Sequence, residues 1–334
     1  MDWRQRINAA GFWRALVQWG FFFWVVVLGI RFGLFVRHFG TGGAPYFERP
    51  PGVEGFLPIG ALVSCKYWFL SGIIHPVHPA ALVIFLTILA LTLVAGKAFC
   101  GWLCPVGTLS EGLGQLGQRI FGRNFQIRGW LDVLLRGLKY AVLLLFVKLI
   151  LLDMPAAALQ SFLGSPYWAI SDVRMLHFFT RMSILTLTVI AVLAGLSLLF
   201  RHFWCRYLCP YGALLGLIGL LSPLRIRRAP DRCTGCQSCS RACPVHLPVH
   251  RKTAIRSPEC LACLSCVATC PETEALAMTP PFWQKPLPGW AFAALVTLLF
   301  AAGIATGVAT GHWHSTLTNA DYRQLIPLAD RFGH

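Results

Sequence analysis

The chain has 334 residues, of which 56% are hydrophobic and only 13% are charged, and its formal net charge is +16. Its mean hydropathy of +0.62 excludes an ordinary soluble domain and indicates an all-α integral membrane protein. Because the basic residues stand beside apolar segments, they favour contact with anionic membrane lipid over nucleic-acid binding.

Five apolar segments predict transmembrane helices, at about residues 15–30, 79–96, 140–162, 184–203 and 288–310. The first is too long for the apolar core of a signal peptide, and no small-residue cleavage site follows it. Most of the 29 Lys and Arg residues lie before the first segment, between the second and third, and between the fourth and fifth. The positive-inside rule then predicts a multi-pass protein of the cytoplasmic (inner) membrane, with its N-terminus in the cytoplasm and its C-terminus in the periplasm.

The segment between the first two predicted helices, residues 36–78, is rich in Gly and Pro and predicts a long loop. His75 and His78 near its end are either polar surface residues or contacts to a metal or a quinone. Its single cysteine, Cys65, predicts a packed small residue rather than a ligand.

Two further features leave alternatives open. Lys148 lies inside the third predicted helix, where an ionisable residue is either functional or extends its ammonium group outward to the membrane surface. In the C-terminal tail, His312 and His314 form either an outward ligand pair or part of an interfacial anchor around Trp313.

A Cys-x3-Cys-Pro motif follows both the second and the fourth predicted helices. The copies are Cys100–Cys104 and Cys205–Cys209, each followed by Pro, and they are displaced by 105 residues. Neighbouring Leu and Gly positions match at the same displacement, which indicates an internal repeat of two-helix units. Pro favours the first position of a helix, so Cys104 and Cys209 are predicted at helix N-caps, where the helix dipole would lower the thiol pKa.

If the two copies meet on a pseudo-two-fold axis, four thiolates converge at the cytoplasmic face. Such a set would hold a third iron–sulfur cluster, bind copper or another soft metal, or cycle as redox dithiols. The alternative is two similar helix turns with inert, packed cysteines. After the first copy, Leu109, Leu113, Leu116 and Ile120 recur at helical spacing and predict an amphipathic helix at the membrane interface.

The strongest motif is a doubled Cys-x2-Cys-x2-Cys-x3-Cys-Pro run between Cys233 and Pro271. In the bacterial ferredoxin run, three close cysteines bind one [4Fe-4S] cluster and the fourth binds the other cluster. Zinc sites or disulfides are the alternatives, and eight cysteines in this doubled pattern disfavour both. The spacing therefore assigns cluster one to Cys233, Cys236, Cys239 and Cys270, and cluster two to Cys260, Cys263, Cys266 and Cys243.

These patterns predict three regions. Residues 1–222 form a membrane domain with the two Cys-x3-Cys-Pro copies, and residues 223–285 form a small α+β ferredoxin module on the cytoplasmic side. Residues 286–334 form the fifth membrane helix and an outward-facing tail.

The combination of motifs resembles the polyferredoxin-like membrane proteins of the NapH/MauN type, which are related to the membrane part of NosR and to the copper reductase CcoG. The resemblance rests on Cys100-Gly-Trp-Leu-Cys104-Pro105, on Cys205-Arg-Tyr-Leu-Cys209-Pro210, on the doubled ferredoxin run and on the segment 53–59, and it covers about residues 15–275. It implies a membrane electron carrier that takes electrons from quinol and feeds a periplasmic reductase pathway, or that serves the maturation of such an enzyme.

The chain departs from the family pattern in two ways. A fifth predicted helix and an outward tail follow the ferredoxin module, where a NapH-type chain is expected to end. The outer loops are too short for a flavin-bearing domain like that of NosR, and the tail is too short for the additional C-terminal domain of CcoG.

The sequence thus predicts an electron-transfer component of a larger oxidoreductase system, acting between the quinone pool and a partner redox protein. One alternative is a metal reductase or assembly factor that reduces Cu(II) at the Cys-x3-Cys-Pro pair. Another is a regulatory or maturation protein whose clusters sense redox state. No glycine motif between a strand and a helix supports a bound nicotinamide or flavin.

Overall fold

The structure, a computed structural model, describes residues 10–42, 45–272, 275–280, 286–329 and 331, and it is mostly helical. The chain divides into two compact units, each assembled from three segments. The first unit comprises residues 1–22, 88–143 and 191–300, and the second comprises residues 23–87, 144–190 and 301–334. All cysteines of the sequence motifs belong to the first unit, and Cys65 belongs to the second.

Two helices in the described part of the chain are long and apolar enough to cross a membrane, namely Ala10–Thr41 and Gly289–Ala309. Two bent pairs qualify if each counts as one span: Trp130–Asp153 with Ala156–Leu163, and Ser171–Thr180 with Ile184–Leu199. The apolar helix Pro79–Ala95 has 17 residues and is shorter than the usual span. Helices therefore occur at all five predicted positions, two to four of them qualify as spans, and a count of five stays a prediction.

The third predicted segment, residues 140–162, is a bent pair of helices rather than one straight helix. Trp130–Val147 continues as a π-helical turn, Lys148–Asp153, and the next helix, Ala156–Leu163, turns away by 107°. Pro155 cannot donate a backbone hydrogen bond, and its ring disfavours a continuing helix. Lys148 forms an exposed ion pair with Asp153 at 2.5 Å, which supports the outward orientation of its ammonium group.

Lys66 stabilises this helix break within the second unit. Its Nζ donates hydrogen bonds to the carbonyl oxygens of Ile150 at 3.0 Å, Leu151 at 3.1 Å and Met154 at 2.5 Å. The last carbonyls of a helix have no intrahelical partner, and a nearby cation both satisfies them and complements the helix dipole.

The predicted loop over residues 36–78 contains a helix and was therefore misassigned. The first helix continues to Thr41, a 3-10 turn covers Pro51–Phe56, and a 14-residue helix covers Pro58–Ser71. Pro58 stands at the first helical position, and Gly72 adopts the left-handed conformation (φ 73°) that ends the helix. Pro58 and Gly72 therefore mark the two ends of a helix inside this segment.

The C-terminal tail packs into the second unit. Its helix Asn319–Leu325 begins with a capping box formed by Thr318 and Asp321. Tyr322 and Ile326 pack with apolar residues of the first helix and of the helix Ser171–Thr180 in one buried cluster, whose remaining members are Phe32, Phe35, Val36, Phe39, Val53, Ile170, Val173 and Ala329.

In the first unit, the two motif copies have similar local structures. The short helix Ala98–Trp102 leads into the helix Pro105–Phe121, and the π-helical turn Trp204–Leu208 leads into the helix Pro210–Ile218. Each of the two longer helices begins with Pro directly after a cysteine.

The segment that follows folds around two short antiparallel strands, Arg225–Arg228 and Leu276–Thr279, with Arg225 opposite Thr279. The short helices Ser238–Arg241 and Ser265–Ala268 lie between these strands in sequence, and each carries one cysteine of the doubled run.

The helix Pro105–Phe121 buries the face that carries small and polar residues, and it exposes the face that carries leucine and isoleucine. Glu111, Gly114 and Gly117 are buried, whereas Leu109, Leu116 and Ile120 are exposed. A Cβ on Gly117 would lie 1.8 Å from the carbonyl oxygen of Leu198, so glycine allows direct backbone contact. The predicted amphipathic helix is present, and its exposed leucines suit contact with lipid.

Candidate metal centres

Cys233, Cys236, Cys239 and Cys270 form the first ferredoxin set, which lies near the surface. Cys270 is close enough to the other three for their charges to act on it. Cys236 is exposed and Cys233 is half-buried. Backbone amides, of Gly235 for Cys233 and of Ser238 for Cys236, donate to the sulfur atoms and lower the pKa of both thiols.

The second ferredoxin set is enclosed. Cys243, Cys260, Cys263 and Cys266 line a single small cavity, and the rest of its wall is apolar and includes Val245, Ile255 and Leu261. Four thiols around one enclosed space are the donor set that an iron–sulfur cluster requires, so these residues fit that group. The charge of Cys239 also acts on Cys266, which places the two ferredoxin sets next to each other.

The four thiols of the Cys-x3-Cys-Pro copies also come together. The charges of Cys104, Cys209 and Cys100 all act on Cys205, although about a hundred residues separate the copies in sequence. Cys100 and Cys205 are buried, and Cys104 and Cys209 are half-buried. This set contains only sulfur donors, the ligand type of iron–sulfur clusters and soft metals, although no three of them lie close enough to share a single ion.

The two N-caps occur as predicted, but for Cys104 the predicted lowering of the thiol pKa was wrong. Cys104 and Cys209 are the N-cap residues of their helices, and the amide of Gly212 donates to the Cys209 sulfur at 3.2 Å. Burial outweighs the helix dipole, because it raises the pKa of Cys104 to about 11 and that of Cys100 to about 12. A bound cation would favour the ionised form of these two thiols.

Lys97 supplies a buried positive charge beside this set. Its charge acts on Cys100, Cys104 and Cys205, and also on Cys260 of the second ferredoxin set. Its Nζ lies 3.5 Å from the position that a Cβ on Gly212 would occupy. No carboxylate among the described residues forms an ion pair with it, so its charge is directed to the thiols.

The first motif copy packs directly against the loop of the second ferredoxin set. Trp102 donates from its indole Nε1 to the carbonyl of Ala262 at 3.0 Å. A Cβ on Gly101 would lie 2.4 Å from the carbonyl oxygen of Leu261, so only glycine fits there. Trp102 is fully buried and also contacts Phe292 edge-on, at 5.3 Å between ring centroids.

Arg14 of the first helix completes this contact. Its guanidinium donates to Glu111, to the carbonyl of Gly101 at 3.0 Å and to the hydroxyl of Ser265 at 2.8 Å. Gln18 donates to the same Gly101 carbonyl and to Glu111. One buried arginine thus connects the first helix, the first motif copy and the short helix that carries Cys266.

The second motif copy contacts the segment that follows Cys243 of the same set. Arg206 binds Asp132 through two nitrogens and donates to the carbonyl of Val245, two residues after Cys243. Tyr207 donates to the same Asp132 carboxylate at 2.7 Å. Next to Cys260, Glu259 accepts from the fully buried Lys139 at 2.6 and 2.7 Å. Both motif copies therefore position the second ferredoxin set.

The second unit contains a separate buried polar network. The Arg49 guanidinium pairs with Glu54 at 2.8 Å and with Asp172 at 2.7 Å. Glu54 also faces His78 Nδ1 at 3.2 Å and accepts from the amide of Ala81. His78 is buried against Trp168, so it is not a surface residue, whereas His75 is half-buried with its ring edge-on to Tyr67.

Among the residues that the structure describes, no three Cys, His, Asp or Glu side chains come close enough to share a single metal ion. In a cubane cluster each cysteine binds a different iron atom, so the ligand sulfurs of a cluster lie farther apart than those of a one-ion site. Cys65 is half-buried in the second unit, and burial raises its pKa, as expected for a packed thiol.

Sequence reasoning did not identify the charged residues that hold the cysteine sets, among them Arg14, Glu111, Asp132, Lys139 and Glu259. A usable signal was present, because each lies within or next to an apolar helix or beside a motif cysteine. Their partners are distant in sequence, so the pairs emerge only in the fold.

Comparison with known proteins identifies the class. The sequence profile described as a 4Fe-4S binding domain matches twice, at residues 77–124 and 182–228, and the profile described as a 4Fe-4S dicluster domain matches residues 225–271. The putative electron transport protein YccM of Escherichia coli is 41% identical over 100% of this chain and 94% of its own length. No solved structure matches.

More distant relatives carry ferredoxin-type names. NapH of Haemophilus influenzae is 26% identical over 78% of this chain and 86% of its own length. The methylamine utilization protein MauN of Methylorubrum extorquens is 30% identical over 57% of this chain and 62% of its own length. These comparisons indicate a membrane-associated, ferredoxin-type iron–sulfur electron-transport protein, and the chain belongs to the NapH/MauN-type polyferredoxin-like family.

Proposed function

We propose that the chain transfers electrons between the membrane quinone pool and a partner redox protein. The observation that carries the proposal is the contact between the three cysteine sets. Gly101 and Trp102 of the first motif copy touch the loop of the second ferredoxin set, and Cys266 of that set lies near Cys239 of the first. The clusters supply one-electron redox chemistry when bound, and the protein supplies ligands, burial and orientation.

The proposed ligands of cluster one are Cys233, Cys236, Cys239 and Cys270, and those of cluster two are Cys243, Cys260, Cys263 and Cys266. For Cys100, Cys104, Cys205 and Cys209 we propose a third [4Fe-4S] cluster shared by the two motif copies. Its support is the 4Fe-4S profile, whose two matches begin 105 residues apart, at residues 77 and 182. The same displacement separates the cysteines, which supports an internal repeat.

A groove in the first unit supports a quinone as redox partner. Trp13, Leu16 and Val17 of the first helix face Trp290, Ala293, Ala294 and Thr297 of the helix Gly289–Ala309 across a space of about 550 Å³. That volume is in the range of small-molecule sites, and its lining is apolar apart from Thr297 and the indole nitrogens. Phe292, which precedes Ala293 in the same helix, contacts Trp102, and Trp102 binds the loop of the second ferredoxin set.

The proposed topology keeps five spans, with the N-terminus and residues 223–285 in the cytoplasm and the C-terminus in the periplasm. Its support is the distribution of Lys and Arg and the helix at each of the five positions. The proposed domains are residues 1–222, 223–285 and 286–334.

The test is an anaerobic titration of the detergent-purified protein, first with a quinol and then with dithionite, with the cluster signals followed by EPR. We expect the quinol to reduce part of the clusters, and Ala294→Trp to slow this step by filling the groove. Leu298→Trp, on an exposed position of the same helix, should leave the rate unchanged. Reduction by dithionite alone would contradict the quinone link.

A copper function is the second candidate, because the set of four thiols at the motif copies offers only soft sulfur donors. Metal analysis distinguishes the electron-transfer function from the copper function. Iron and sulfide for three clusters support the relay, whereas iron for two clusters plus tight Cu(I) binding that requires the same four cysteines supports a copper reductase or assembly factor.

A further inference from the structure

Basic residues surround the exposed edge of the first ferredoxin set. Arg228 lies within hydrogen-bonding reach of the Cys233 sulfur, and the charge of Arg241 acts on Cys236. The second set is enclosed in its cavity. Of the two ferredoxin sets, the first is therefore the one that a soluble molecule can approach.

Two more basic residues extend this surface. Arg228 donates to the carbonyl of Lys252 at 3.3 Å. Arg251 lies against His250, which bonds to Ser240 at 2.8 Å in the helix that carries Cys239. We call Arg228, Arg241, Arg251 and Lys252 the basic rim; the last three are exposed.

The segment around the first ferredoxin set has a net positive charge even when its acidic residues are included. Residues 223–285 contain nine Lys and Arg and four Asp and Glu. Of the acids, Glu259 is buried against Lys139, and Asp231 and Glu272 are exposed near the ends of the first set. The exposed face around Cys233 and Cys236 therefore offers positive charge to a partner.

We propose that the basic rim is the docking surface at which a soluble, acidic one-electron carrier protein exchanges electrons with this chain. The proposal rests on the proposed electron-transfer function. One electron passes between the carrier and the iron–sulfur chain; no covalent bond forms or breaks, and the carrier is the co-reactant. Complementary charge speeds such encounters and aligns the two redox groups. An acidic protein suits the rim better than lipid does, because redox-active cysteines stand at its centre.

The first test is chemical cross-linking and needs no turnover. An acidic flavodoxin, activated at its carboxylates with a carbodiimide, should form an amide with Lys252, the only lysine of the rim, and mass spectrometry of the peptide identifies the bond. We expect loss of most of the cross-link in Lys252→Gln and at high salt. A cross-link that survives both changes would overturn the proposal.

The second test is stopped-flow electron exchange between the cluster-loaded protein and flavodoxin reduced by dithionite, so that no quinol is involved. The triple variant Arg241→Gln/Arg251→Gln/Lys252→Gln should exchange electrons about tenfold more slowly at low salt, since electrostatic steering raises association rates by about 10- to 1000-fold. Its cluster content by EPR should equal that of the wild type. Cytochrome c, a basic carrier, should show the opposite salt dependence.

The control is Arg227→Gln/Arg256→Gln, which removes two exposed charges outside the basic rim that act on Arg225. It should keep the wild-type rate. If the triple variant keeps that rate and loses only its binding to phosphatidylglycerol vesicles, the rim faces lipid and the proposal is wrong. If quinol does not reduce the clusters but electron exchange with flavodoxin is intact, the proposed quinone link is refuted and the docking proposal stands.

Discussion

Trp102 donates a hydrogen bond from its indole Nε1 to the carbonyl oxygen of Ala262 at 3.0 Å. The two residues are 160 positions apart, yet both lie beside metal-binding motifs, one in the Cys-x3-Cys-Pro copy and one in the loop of the second ferredoxin set. This bond holds the two cysteine sets in contact. Its removal should therefore affect both stability and cluster retention.

Trp102→Phe keeps an aromatic ring in the same space and leaves the Ala262 carbonyl without its partner. A buried group that loses its partner costs about 1–3 kcal/mol, so we expect a lower midpoint of thermal unfolding in detergent and a smaller iron content. Trp130→Phe, at a highly exposed tryptophan, is the matched control and should change stability by less than about 0.5 kcal/mol.

Gly101→Ala tests the close approach of the first motif copy to the second ferredoxin set. The new methyl group would lie 2.4 Å from the Leu261 carbonyl oxygen, so the contact must open. Overpacking of this kind costs about 1–3 kcal/mol, and the EPR signal of the clusters should weaken. At Gly137 a Cβ meets nothing within 4 Å, so Gly137→Ala should be neutral or slightly stabilising. Equal effects of the two changes would count against the contact.

The ion pair between Arg14 and Glu111 should make stability depend on pH. Burial alone would raise the pKa of Glu111, but Arg14 and the neighbouring donors hold it below its usual value. A carboxylate whose pKa is lower in the folded state stabilises the protein above the pKa of the unfolded chain, about 4.3, and this stabilisation is lost as the pH falls through the folded value.

Glu111→Gln should therefore destabilise the protein at pH 7 by about 3–5 kcal/mol, the range for a broken buried pair, and by less near pH 4. Thermal unfolding of both proteins across this pH range measures the difference. The exposed Glu48 provides the control, because Glu48→Gln should leave the unfolding midpoint nearly unchanged at each pH.

Arg49 is expected to be essential for the fold of the second unit. Arg49→Met leaves Glu54 and Asp172 buried without their cation, which should cost about 3–5 kcal/mol. Lys148→Met breaks an ion pair whose side chains are 63% and 45% exposed, and should cost at most about 1 kcal/mol. Chemical unfolding in detergent compares the two variants, and similar losses would argue against a structural role for the Arg49 network.

The grouping of the eight ferredoxin cysteines was predictable from sequence because iron–sulfur ligation imposes a fixed local spacing, and their role as ligands stays a prediction. The N-caps at Cys104 and Cys209 followed from the Pro that comes after each. The rest depends on contacts between distant segments. Pro155 breaks a helix that composition alone predicts as continuous, and the buried partners of Arg14 and Arg49 are distant in sequence. The sequence left the role of His78 undecided, because only the fold brings Glu54 and Arg49 to its side.

The most direct test of the electron-transfer account compares the wild type with a variant in which Cys100, Cys104, Cys205 and Cys209 are all replaced by serine. Both proteins are reduced anaerobically by a quinol and, separately, by dithionite, and the ferredoxin-type EPR signals are recorded over time. The account predicts that dithionite still reduces the eight-cysteine module of the variant while quinol no longer does. Reduction of the variant by quinol at the wild-type rate would contradict it.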